Sequence, residues 1–125
     1  MGSSMSLNLT GYVGSTPVLK EVGEQRVASF SLAVNRKTST GKQQTLWVRV
    51  NCWNGLSNVA MKYLHKGSLC QCEATWMWSS AWIGKNGEPR VSLDMDANRL
   101  ITKFTEGILL DRMPANEPDT EQIPL

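Results

Sequence analysis

Histidine occurs once in these 125 residues, at position 65, and cysteine three times, at Cys52, Cys70 and Cys72. One histidine leaves no Ser/His/Asp or Cys/His arrangement for nucleophilic chemistry, and there is no Gly-rich phosphate loop, so an enzyme is not expected. An odd number of cysteines without a secretory signal argues against a disulfide framework, and the three are expected to be reduced. Cys70 and Cys72 form a CxC pair near His65, but the second pair of ligands that a zinc spacing needs is missing. They read as small buried hydrophobes, with no metal and no cofactor. No apolar run approaches the roughly 20 residues that span a bilayer, and the N-terminus lacks the charged-then-apolar pattern of a signal peptide. The expectation is a soluble intracellular protein.

The length fits one domain with its own core. Met1-Gly2-Ser3-Ser4 before a second methionine, Met5, reads as a remnant of an expression vector, so residues 5–104 are taken as the domain. Charge is divided unevenly: residues 1–104 hold 12 Lys/Arg against 6 Asp/Glu, whereas residues 105–125 hold one Arg against 5 Asp/Glu. A basic body suits a polyanion, and an acidic tail suits a basic partner. Pro114, Pro118 and Pro124 among Asn, Asp and Glu make residues 105–125 a poor contributor to a core, and a flexible tail is expected there.

The most informative segment is Trp47-Val-Arg-Val-Asn-Cys-Trp53. As a strand it carries Val48, Val50 and Cys52 on one face and Trp47, Arg49, Asn51 and Trp53 on the other. The first face is a core. The second brackets a cation and an amide between two tryptophans, which outlines a stacking platform for bases with a guanidinium for phosphate. The alternative is that one or both tryptophans cover a second small core or a subunit contact.

Around this segment the chain reads as short strands with one helix. Leu7, Leu9 and Val13 mark a first strand that meets Gly11 and Gly14, with a short return after Pro17, and residues 26–35 alternate as a second strand. A polar basic loop, residues 36–44, leads into the tryptophan strand. Leu56, Val59, Ala60, Tyr63 and Leu64 have the spacing of one helix face, which Lys66 and Gly67 are expected to close. A strand from Leu69 to about Trp82, a turn at Gly84-Lys85-Asn86-Gly87, and a return strand with Val91, Leu93 and Met95 complete the pattern. The order is that of a five-stranded Greek-key barrel with a helix between strands 3 and 4.

Phe30-Ser-Leu-Ala-Val-Asn35, Leu46-Trp-Val-Arg-Val50 and above all Asn51 to Gly67 (NCWNGLSNVAMKYLHKG) resemble the bacterial single-stranded DNA-binding proteins across roughly residues 7–104. The resemblance implies an OB-fold, all-β with one helix, usually a homotetramer, that binds single strands without sequence preference. It implies roles in replication, recombination and repair, in the cytoplasm as a nucleoid-associated protein or in an organelle of bacterial descent. By motif position Trp47 and Trp53 fall where the family places stacking aromatics, and Trp82 lies within about a residue of a third. The family's usual Gly-Lys after the second aromatic is Asn54-Gly55 here, so one phosphate-contacting lysine is absent. The tail from Glu117 through Asp119 and Glu121 to Ile123-Pro124-Leu125 resembles the family's acidic tip, which ends in Ile-Pro-Phe, and implies docking of replication and repair proteins.

Beside these, Trp78 is a candidate stacking residue if the strand carries a bulge. Without one, Trp76 and Trp78 share the core face of Cys70, Cys72 and Ala74, and Trp76 is read as structural. Arg36, Lys37, Lys42, Lys85 and Arg90 sit in or beside loops that can funnel a strand. The competing function is an OB-fold protein-interaction or primosome-type accessory module that binds nucleic acid weakly and uses its sheet face for dimer contacts.

Overall fold

The computed structural model describes residues 2–102, so the acidic segment with Glu117, Asp119, Glu121, Ile123, Pro124 and Leu125 lies outside the described residues. Among the described residues seven elements follow in chain order: β1 (Leu7–Val13), β2 (Val18–Val22), β3 (Gln25–Lys37), β4 (Gln43–Trp53), α1 (Gly55–Tyr63), β5 (Leu69–Ile83) and β6 (Pro89–Ile101). The sheet order is β1-β5-β6-β4-β3-β2, and a further β1–β3 pairing closes β1, β5, β6, β4 and β3 into a five-stranded ring. This is the expected barrel, an OB-fold. The return after Pro17 becomes a strand of its own, so the helix falls between the fourth and fifth strands in chain order. β2 lies outside the ring, on the edge of β3, with all five residues exposed.

Period-two alternation places the core. Phe30, Val50 and Met95 are paired in register across β3, β4 and β6, with Met77 of β5 opposite Met95. Leu32, Val48, Val50, Cys52, Cys70, Cys72 and Met95 are each fully buried, and Ala60 of α1 and Leu64, just past its end, cap the cluster. Burying each such aliphatic side chain contributes about 1.5–3 kcal/mol before entropy is subtracted. All pairings are antiparallel except β4–β6.

The thiols belong to this core. Burial pushes Cys52 up to about 12, helped by the neighbouring Cys70 and Asp96. Cys72 is raised well above the ordinary thiol range, first by its hydrogen bond with Cys70 and then by burial. Protonated thiols at neutral pH are poor nucleophiles and poor ligands, and His65 is exposed. Among the described residues no group of His, Cys, Asp and Glu is placed to hold a metal ion, and no helix is long and apolar enough to cross a membrane.

Three local expectations change. The helix ends at Tyr63, with Leu64 extended and its N–H donated to the Ala60 carbonyl at 3.0 Å. Lys66 and Gly67 lie beyond it in a turn where Gly67 (φ 94) donates its N–H to the Val13 carbonyl at 2.7 Å. Tertiary pairing, not helix capping, uses that glycine. The basic loop is shorter than 36–44, because Arg36↔Gln44 and Lys37↔Gln43 are still paired and the turn is held by Thr38 and Lys42. Lastly, β5 carries an irregularity between Ala74 and Met77, where three steps on β5 oppose two on β6. One extra residue reverses the alternation. Met77 therefore faces the core, Trp78 faces out, and Trp76 is 59% exposed rather than structural.

Candidate nucleic-acid interface

The outward face of β4 carries Trp47, Arg49, Asn51 and Trp53, as its alternation predicts. Arg49 is exposed, and Trp47, Asn51 and Trp53 are half-buried. On this face the β3 neighbours are short: Trp47 is opposite Ala33, Arg49 opposite Ser31, and Asn51 opposite Ser29. Ala33 is fully buried although it lies on this outward face, opposite the half-buried Trp47. The Ser29 hydroxyl donates to the Asn51 side-chain oxygen at 2.8 Å, which fixes that amide.

The parallel β4–β6 pairing brings a second set of residues to the same face. Arg49 is in register with Asp94, and Asp94 with Trp78. One rung therefore runs Ser31, Arg49, Asp94, Trp78 across four strands. Two and four residues further along β5 lie Ser80 and Trp82, paired with Ser92 and Arg90. Trp78 is half-buried and Trp82 is 48% exposed on the protruding β5–β6 arm. Lys85 sits in the turn that ends this arm, closed by the Gly87 N–H to the Gly84 carbonyl at 2.9 Å. Tryptophans separated by about thirty residues of chain thus share one surface with Arg49 and Arg90, and Lys85 lies in the turn at the end of the arm.

Not every predicted cation joins it. Lys37 is outward and Lys42 lies in the turn of the β3–β4 arm. Arg36 is on the opposite face of that arm, with Val34, Gln44 and Leu46, and donates through Nε to the Gln44 side-chain oxygen at 3.1 Å. At the other margin, Lys20 of β2 joins Arg49 around an open hollow of about 460 Å³ floored by Ser29 and Ser31.

Two acidic side chains on this face were not singled out from the sequence. Asp94 is 8% exposed and accepts the Ser92 hydroxyl at 3.0 Å. Asp96 accepts the Trp53 Nε1–H at 3.1 Å. The signal was present: if Val91, Leu93 and Met95 face inward, then Ser92, Asp94 and Asp96 face outward.

Between Trp53 and the helix stands Asn54 at φ 53, ψ −117, the first central position of a type II′ turn, which glycine occupies at least cost. The Asn54 N–H donates to the Arg26 carbonyl at 2.7 Å and its side-chain oxygen accepts the Arg26 N–H at 3.2 Å, which holds the strained residue in place. Asn54→Gly is expected to raise unfolding free energy by about 1 kcal/mol, the relieved strain outweighing one exposed hydrogen bond. Urea denaturation measures it, and a loss of stability would count against the strain.

Comparison with known proteins agrees with this architecture. The family model described as the single-strand binding protein family matches residues 5–102. A single-stranded DNA-binding protein of Chlamydia trachomatis is 29% identical over 100 residues, covering 79% of this chain and 61% of that protein's length. Single-stranded DNA-binding protein 1 of Synechocystis is 33% identical over 98 residues, covering 76% of this chain and 79% of that protein. The crystal structure of a small single-stranded DNA-binding protein from Streptomyces coelicolor superposes with a TM-score of 0.66 at 19% identity, over 82% of this chain and 97% of that one. The match runs over the whole closed barrel and both sets of tryptophans, and the chain belongs to the single-strand binding protein family.

Proposed function

We propose that this chain binds single-stranded DNA without sequence preference, stacking bases on Trp47, Trp53, Trp78 and Trp82 and meeting phosphates with Arg49, Lys37, Lys42, Lys85 and Arg90. The observation that carries the reading is the single sheet face on which β4 and the β5–β6 arm place aromatic rings beside cations. Every base has a π face, so a ring ladder is indifferent to sequence, and duplex DNA presents no free base to it. The proposed role is that of a binding module in replication, recombination and repair, in the cytoplasm with the nucleoid or in an organelle of bacterial descent. The test is intrinsic fluorescence: an oligo-dT should quench the tryptophans at concentrations where a duplex of equal length does not, and equal quenching would overturn the reading.

Salt gives a second test. Log affinity should fall with log salt at about −0.7 per contacted phosphate. Replacing Arg49, Lys37 and Lys42 together by alanine should flatten that slope by about 2 if each meets one phosphate. An unchanged slope would move the phosphate path elsewhere.

Self-association, as a homotetramer, is part of the proposal. It is favoured by apolar side chains left in solvent on the arm and the edge strand: Ile83 is 69% exposed, Val91 72% and Val18 64%. The competing accessory-module reading gives the sheet face to dimer contacts and predicts weak DNA binding. For the acidic segment we propose capture of replication and repair proteins, Glu117, Asp119 and Glu121 meeting a basic rim while Ile123, Pro124 and Leu125 enter an apolar pocket. Deleting residues 117–125 should leave single-strand affinity unchanged or slightly higher and abolish that capture in a pull-down with DNA-free bait. An identical set of captured proteins would make the segment a solubilising end.

A further inference from the structure

Asp96 stands on the face that the proposed function turns toward a polyanion, where a negative charge is unfavourable on electrostatic grounds alone. Its carboxylate accepts the Trp53 Nε1–H at 3.1 Å, in a partly buried setting. The parallel β4–β6 ladder sets up this contact. Asn51 is in register with Asp96, and Trp53 follows two residues on along the same face. The other side of the ring is provided for as well, since Trp53 is paired with Val27, which is only 6% exposed although it points outward. Trp53 thus has an apolar cross-strand neighbour and a charged acceptor for its indole N–H.

We propose that Asp96 is a positioning residue for single-strand binding: it fixes the Trp53 indole in the orientation that receives a base, and its gain in preorganisation exceeds its repulsion of the phosphates. The inference rests on the reading of Trp53 as a stacking residue. A tryptophan on an open sheet face has several rotamers, and a base that stacks on it must select one. A hydrogen bond to an ionised acceptor is among the stronger that a side chain makes, and it removes that choice before the base arrives.

The sign of the effect separates positioning from charge. Asp96→Asn removes the charge and keeps a carbonyl oxygen for the indole N–H. Asp96→Leu removes both at similar volume, and Asp96→Ala serves in its place if the leucine variant does not fold. Full-length protein would be titrated with a labelled dT oligomer, and the Trp53 indole N–H followed in proton–nitrogen NMR spectra, assigned by its loss in Trp53→Phe. Asp96→Asn should bind as well as the parent or up to about threefold tighter, with the indole resonance still shifted and slow to exchange. Asp96→Leu should bind roughly three- to tenfold more weakly, with the indole resonance moved and exchanging fast. In a Trp53→Ala background the leucine change should no longer weaken binding, and loss of the charge should leave affinity equal or up to about threefold tighter. If leucine and asparagine variants bind alike, or the leucine effect persists without Trp53, Asp96 does not act through the indole and the proposal falls. If Trp53→Ala alone binds normally, stacking at Trp53 is itself wrong, and the positioning role falls with it.

Discussion

Replacing Trp53 by alanine is expected to weaken binding to a dT oligomer by roughly ten- to hundredfold while the barrel stays folded, and Trp47→Ala is expected to do the same. The magnitude follows from base–aromatic stacking at about 1–3 kcal/mol per base. The fold should survive because both rings are half-buried on the outward face, and none of their atoms is needed to fill the cluster of Leu32, Val48, Val50 and Met95. Trp53 has more to lose than Trp47, since its removal also uncovers Val27 and leaves Asp96 without the indole donor. Anisotropy of a labelled oligomer gives the affinity, and a thermal melt by circular dichroism gives the fold. Two folded alanine variants with parental affinity would end the stacking account.

The largest stability effect is expected at Gly11. A methyl group there would lie 2.3 Å from the Ala33 carbonyl oxygen and 3.0 Å from its carbon, with the Leu32 Cγ at 3.3 Å. The first two atoms are backbone of β3 and cannot swing aside. This is where the ring closes, through Tyr12↔Ala33 and Val13↔Leu32. Gly11→Ala should therefore cost about 3 kcal/mol, the upper end of overpacking, which for a domain of this size lowers Tm by roughly 10–20 °C. Gly55→Ala is the control, because a methyl group there meets nothing within 4 Å and the helix loses a flexible residue. Urea unfolding of the pair decides the matter, and equal stabilities would mean that the strands separate at Gly11 without cost.

Legibility in the sequence followed the range of the cause. The tryptophan strand could be read residue by residue, because Val48, Val50 and Cys52 against Trp47, Arg49, Asn51 and Trp53 is a local alternation that any partner strands would enforce. The barrel was readable from the order of such segments and from the family resemblance. The end of the helix was not, because Gly67 looks like a cap and is in fact bonded to Val13, more than fifty residues earlier. The outward turn of Trp78 was open for the same reason. Nothing in Thr75-Trp76-Met77 announces an extra residue, which exists only relative to the register of β6. Arg36 entered the candidate set as part of the basic loop, whereas strand continuity through Arg36↔Gln44 places it on the far face. Asp94 and Asp96 were overlooked because acids are not sought where a polyanion is expected.

The closed ring also governs how the chain reaches its native state. β3–β4 and β5–β6 are hairpins whose strands are joined by short turns, but β1–β5 and β4–β6 join residues far apart in the chain, 67 positions for Leu7↔Ala74 and 45 for Val48↔Leu93. Loop-closure entropy delays such contacts, so the two hairpins should form first and the ring should shut in a later step, on the millisecond-to-second scale of barrels dominated by distant pairings. During synthesis, β1 has only its two-residue contact with β3 until β5 has emerged, and β4 keeps one edge open until β6 has left the ribosome. Until then the apolar faces of Val48, Val50 and Phe30 have no Met95 to cover them. A nascent chain stalled within the β5–β6 turn would therefore carry a bare sheet edge and an open core together, and would be a target for chaperones and proteases that the finished ring is not.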